Sequence, residues 1–186
     1  MFRLTSIVCL VAVLFALPLA ALAQDLTETY TTLDGTLTFN YPGGWVTQEE
    51  FGSILLANSQ ETLDALMEGA GEMSAGQAAI VVLPPAALEA QFGMIGLALD
   101  QGPAVAIDEY IALVGQESFD QAEELTIGDK PAVRVTGDLG GQTQTLYAVD
   151  LGEGGLAMLA VAALPDELGR VSSTGEAIIA SMDAKP

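Results

Sequence analysis

Phe39-Asn40-Tyr41-Pro42-Gly43-Gly44-Trp45 is the stretch that decides the fold. Leu37, Phe39 and Tyr41 alternate with Thr36, Thr38 and Asn40, which reads as a strand with one apolar face. Pro42-Gly43-Gly44 then forces a tight turn, and the only tryptophan of the chain stands directly behind it. A large aromatic in that place is expected to fold back over the sheet as a core anchor. Glu28 to Thr32 precede the strand across Leu33-Asp34-Gly35, a turn-forming group between two alternating segments, so the pair reads as a hairpin.

Further along, Ser53 to Ala57 reads as a strand. Asn58 reads as a helix cap, with Glu61 at capping-box spacing and Leu63, Leu66 and Met67 as the buried stripe. Gln77 to Leu83 is an apolar strand closed by Pro84-Pro85. Ile107, Tyr110, Ile111 and Val114 fall at i, i+3, i+4 and i+7, and Asp108 and Glu109 sit favourably near the start of that helix. Strands are predicted at Ala132 to Gly137, Gln142 to Leu151 and Leu156 to Ala163. Gly140-Gly141 and Gly152-Glu153-Gly154-Gly155 join them as hairpin loops, so the sheet is antiparallel at least here. Pro165 opens a terminal helix with Leu168, Val171, Ile178, Ile179 and Met182 on one side; Gly169 and Gly175 predict a break near Ser172 to Thr174. This order of elements indicates an α+β layered sandwich rather than a doubly wound parallel fold.

The N-terminus addresses location. Arg3, the apolar run from Ile7 to Leu22 and the small-x-small group Ala21-Leu22-Ala23 have the pattern of a secretory signal. Residues 1–23 are therefore expected to be a signal peptide and 24–186 a single exported domain, secreted, extracellular or periplasmic. The apolar run falls short of the roughly 20 residues a spanning helix needs, so no stable membrane insertion is expected after cleavage. Cleavage removes Cys9, the only cysteine, and with it any disulfide. Lys130, Arg134, Arg170 and Lys185 then face 25 acids, in a chain whose whole formal charge is −20. Nucleic acid is excluded on that balance, because phosphate binding needs a basic face; anionic lipid is disfavoured for the same reason. The acidity suits solubility in a saline or calcium-rich exterior, or a cationic partner, or weakly held divalent ions.

The opening Gly35, Phe39, Tyr41, Pro42 and Trp45, the hairpin pair around Arg134 to Ala163 and the closing Ile178-Ile179-Ala180-Ser181-Met182 together resemble the PsbP-like group, named after an extrinsic protein of photosystem II. The resemblance runs over most of Thr27 to Met182. It implies an αβα sandwich with a central, mainly antiparallel sheet flanked by helices, and a non-catalytic binding or assembly role. The matched residues are core and turn positions. Photosynthetic members dock through basic residues, which this chain nearly lacks, and have been linked to metal through histidine and acids; histidine is absent here.

The residue inventory excludes several chemistries. Without histidine or a cysteine in the mature chain, serine–histidine and cysteine–histidine catalysis cannot be built in their ordinary form. Zinc, copper and haem lose their usual ligands, so neither a metal site nor a cofactor is expected. Gly152-Glu153-Gly154-Gly155 lacks the lysine and following helix of a phosphate loop. A serine–lysine pair through Lys130 is unattractive, since Lys130 stands before Pro131 at a strand entrance and reads as exposed. Two carboxylate alternatives remain. One is a small hydrolase using pairs such as Glu49-Glu50, Asp108-Glu109 or Glu123-Glu124. The other is an acidic calcium-binding surface protein, for which Glu117, Asp120, Glu123 and Glu124 cluster, without an Asp-x-Asp-x-Asp-Gly loop. The segment Ala86 to Leu99 is apolar on more than one side, with Leu88, Phe92, Met94, Ile95, Leu97 and Leu99 interrupted by Gly93 and Gly96. Either it is buried between layers or one side meets a partner. Phe92, Met94 and Ile95 are the expected contact residues of an exported binding or accessory domain, whose partner is a protein or an apolar ligand.

Overall fold

The computed structural model describes residues 25–68, 73–93, 99–114, 119–139 and 142–185. Its central layer is a seven-stranded sheet. In spatial order it runs β3 (Val46–Glu50), β4 (Ser53–Ala57), β5 (Ala78–Leu83), β9 (Leu156–Ala163), β8 (Gln142–Asp150), β7 (Lys130–Leu139) and β6 (Glu123–Ile127), each neighbouring pair antiparallel. A smaller sheet orders β1 (Leu26–Thr31), β2 (Leu37–Pro42) and β10 (Asp183–Ala184). One helix, α1 (Gln60–Met67), links β4 to β5. The α+β sandwich with antiparallel sheets expected from the order of elements is the fold observed.

Two apolar cores explain the layering. The helix α4 (Pro165–Ser181) and the small sheet bury Val171, Ile178, Ile179, Leu37 and Phe39 against one face of the large sheet. The other face receives α2 (Pro85–Phe92) and α3 (Pro103–Val114) through Leu88, Ala106 and Ile107. Alternation along β8 divides the work: Tyr147 and Val149 point into the first core, Leu146 and Ala148 into the second. A strand covered on both faces reads as a continuous apolar run, which is why β8 and β9 are so conspicuous in the sequence. Each large side chain so buried contributes about 1.5–3 kcal/mol.

The Pro-Gly-Gly turn works as expected. The Trp45 N–H donates to the Pro42 carbonyl at 3.3 Å, and Gly44 has a φ of +81°, the backbone a type II turn needs at its third residue. Trp45 is 7% exposed and belongs to the first core.

Four local expectations are corrected. The cap of α1 is Ser59, whose hydroxyl accepts from the Thr62 N–H, while Asn58 instead accepts from the Ala78 N–H and ties the helix start to β5. Of the expected stripe on that helix, Leu63 is buried but Met67, in the last turn of α1, is 38% exposed. The terminal helix does not break. Gly175 faces β9 so closely that an added Cβ would lie 2.9 Å from Val161 Cγ2, so the glycine sets the packing distance instead of ending the helix. Finally, β3 and β6 are strands where the sequence suggested none. Both lie at the edges of the large sheet and carry Glu49-Glu50 and Glu123-Glu124 there, a composition that hides a strand from pattern reading and discourages pairing with another chain.

Candidate functional site

Phe92 is half-buried at the end of α2, packed against the second core with its ring edge-on to Tyr110, centroids 5.9 Å apart. Met94 and Ile95 lie outside the described residues, so of the three expected contact residues only Phe92 is placed, and its inner side serves the core.

A different constellation lies between α4 and the β6–β7–β8 edge. Antiparallel register sets Glu123 on β6 directly opposite Arg134 on β7, and Arg134 opposite Tyr147 on β8. Glu176, on α4, approaches from above. Arg134 donates through Nη2 to Glu123 Oε2 at 2.6 Å and through Nη1 to Glu176 Oε1 at 3.0 Å. The same Glu176 oxygen accepts from the Tyr147 hydroxyl at 3.1 Å. Beside this ring, Thr145 shares hydrogen bonds with Thr136 at 3.1 Å and Ser172 at 3.3 Å. Glu123, Arg134, Thr136, Thr145, Ser172 and Glu176 line a cleft of about 440 Å³, which Asp120 reaches because its N–H donates to the Thr136 carbonyl at 2.8 Å.

The electrostatics follow from that geometry. Burial, then the negative charge of Glu176 and the hydrogen bond to it, push the Tyr147 hydroxyl well above the ordinary tyrosine range. The bond to Glu123 raises Arg134 further, so it stays a cation under all ordinary conditions. The arrangement therefore holds a fixed positive charge between two carboxylates, with a neutral phenol behind. It offers hydroxyls and carboxylates to a polar group in the cleft.

This ring was missed in the sequence because Glu123 read as part of an acidic loop. The available signal was Ile127-Gly128-Asp129-Lys130, a two-residue hairpin turn that places Glu123 and Arg134 in register. Of the pairs weighed for a hydrolase, only Glu123 enters the cleft; Glu49 lies elsewhere, accepting from the Tyr30 hydroxyl at 2.7 Å. Lys130, expected on the surface, has a side chain only 15% exposed; Asp129 holds its ammonium at 2.8 Å and the Ala180 carbonyl lies at 3.5 Å. Among the described residues no group of three or more acids converges on a point that could hold a metal ion, and no helix is long and apolar enough to cross a membrane.

No family model and no curated protein matches the chain. Among solved structures, a Bacteroides thetaiotaomicron protein aligns over 87% of this chain and 50% of its own, with 16% identity and a TM-score of 0.51. The chain thus spans about half the length of that protein, and at this identity the likeness concerns the fold alone. The solution structure of cyanobacterial PsbP from Synechocystis aligns over 85% of this chain and 92% of its own at 12% identity, TM-score 0.46. A Pseudomonas aeruginosa protein of unknown function aligns over 86% and 97% at 11% identity, TM-score 0.45.

Proposed function

We propose that this chain is an exported, non-catalytic binding or accessory domain of the PsbP-like type, delivered by residues 1–23 and contacting a protein or apolar ligand, with Phe92, Met94 and Ile95 in the contact. The observation that carries the non-catalytic reading is the commitment of Glu123 and Glu176 to Arg134. A glycoside hydrolase needs one carboxyl free to give a proton and another free to face the sugar across roughly 5–10 Å. Here both acids of the cleft that meet the guanidinium are spent on it. The resemblance of Phe39 to Trp45 to the PsbP-like opening supports the accessory role from the sequence side.

One observation favours a second reading, a carboxylate hydrolase: Asp120, Glu123 and Glu176 do share a concave cleft. Incubating the exported chain and a Glu123→Gln/Glu176→Gln variant with a panel of chromogenic glycosides and esters separates the two. The binding reading expects no turnover above background from either protein, and retention of the same co-purifying partner from the exported fraction by both. Turnover by the unmodified chain that the double variant loses would replace it with the hydrolase.

A further inference from the structure

Two turns carry large apolar side chains fully into solvent. Leu33, between β1 and β2, is 90% exposed, and Phe51, between β3 and β4, is 89% exposed. They belong to one surface, because Leu33 and Gly52 line the same small cleft of about 140 Å³ with Thr32, Asp34, Glu49 and Ala87. The Phe51 hairpin is seated on α2: Gln91 Nε2 donates to Ser53 Oγ at 3.1 Å and reaches the Phe51 carbonyl at 3.5 Å. Phe51 also has a φ of +50°, followed by Gly52 at +78°. A two-residue hairpin turn with two positive φ values favours Asn, Asp or Gly at its first position, and a bulky side chain there costs backbone energy. Phe51 gains no core contact in return for that strain.

The charges around this surface are acidic and already oriented. Asp34 accepts from the Thr32 hydroxyl at 2.6 Å and from the Thr36 N–H and hydroxyl at 3.0 and 2.8 Å. Tyr30 holds Glu49, Glu50 immediately precedes Phe51, and Glu89 stands exposed on α2. Lys185 approaches this turn through its backbone, whose N–H donates to the Thr36 carbonyl at 2.8 Å. We propose that the Leu33–Phe51 face docks a protein partner presenting an apolar socket ringed by Lys or Arg. This rests on the binding-domain reading above and adds to it a contact face other than Phe92, Met94 and Ile95, with the chemistry of the partner that face would take. A second copy of so acidic a chain would set like charges against one another, and an anionic bilayer would do the same; a basic protein surface complements both features.

The test uses synthetic peptides of defined sequence. The unmodified chain is titrated with a peptide of alternating Lys and Leu and with one of alternating Lys and Ser at equal charge, and with phosphatidylcholine vesicles. The same titrations are made on a Leu33→Ser/Phe51→Asn variant. The proposal expects at least tenfold tighter binding of the Lys/Leu peptide, and loss of that preference in the variant with its melting temperature unchanged or raised, since Asn relieves the strained turn. Equal binding of the two peptides, or a preference undiminished in the variant, overturns it. So does vesicle binding that the variant loses, which would make the face a membrane contact. The two failures stay distinct: these outcomes remove the docking face alone, whereas glycoside or ester turnover lost in the Glu123→Gln/Glu176→Gln variant removes the non-catalytic reading alone.

Discussion

Tyr147 shows how one residue couples the core to the cleft. Its ring fills the first core while its hydroxyl reaches Glu176 at the cleft wall. Burial first, and Glu176 second, raise the pKa of that hydroxyl on folding, and burial with Glu49 raises that of Tyr30 to about 12. An acid raised on folding is stabilising in its neutral form. That contribution is complete below the unfolded value near ~10 and is lost as pH rises through the folded one. The urea midpoint should therefore hold steady to about pH 10 and fall above it, and Tyr147→Phe should flatten the fall while costing about 1 kcal/mol at neutral pH. Asp34 behaves in the opposite sense. The Thr32 hydroxyl, then the Thr36 N–H and hydroxyl, hold its carboxyl down at about 2, so the stabilisation it brings is present above its ordinary value of 3.8 and is lost as pH falls toward 2. Carboxyl carbon shifts followed by NMR should show this low midpoint, and Thr32→Val should move it upward; an ordinary midpoint in the unmodified protein would contradict the hydrogen-bonded turn.

At the level of elements, α4 offers the sharpest test. Gly175→Ala places a methyl group against Val161, so α4 must lift from β9; the gain in helix propensity, about 1 kcal/mol, is opposed by overpacking of about 1–3 kcal/mol. Net destabilisation is expected in urea unfolding, and Val161→Ala in the same chain should relieve the clash. Ser59→Ala should cost about 1 kcal/mol as the loss of an N-cap, whereas Asn58→Ala acts through the Ala78 N–H it leaves unpaired. These elements also show what the sequence discloses. The β2 strand, the Trp45 turn, β8, β9 and α3 were legible because burial on one or both faces writes a period into the residues. The edge strands β3 and β6 were not, since acids that protect an edge also erase its apolar pattern. The Arg134 ring was legible only in part: the Gly128-Asp129 turn sets Glu123 opposite Arg134, but Tyr147 reaches it by cross-strand register and Glu176 from α4, contacts no local spacing records. Gly175 misled because propensity takes no account of what a glycine faces.

The molecule as a whole is governed by its charge. Acids outnumber cations 25 to 5, and Arg134 alone occupies two of the acids. Such a surface keeps chains apart and repels itself, so the compact state is stabilised when counter-ions screen it. Raising sodium chloride from about 10 mM to about 150 mM shortens the Debye length from roughly 30 Å to 8 Å, and the melting temperature should rise across that range and then level off. Calcium distinguishes screening from binding. A site would need six to eight oxygens, and among the described residues no three acids converge closely enough to hold a metal ion. At equal ionic strength, calcium and sodium should then give the same melting temperature within about 1 °C. A true site loaded at a hundred times its Kd would instead add about 2.7 kcal/mol, roughly 5–10 °C in a domain of this size. A rise of that order which saturates with calcium and is not matched by sodium would identify the acidic surface as a ligand site, and would put a calcium-binding role in place of a solvating one.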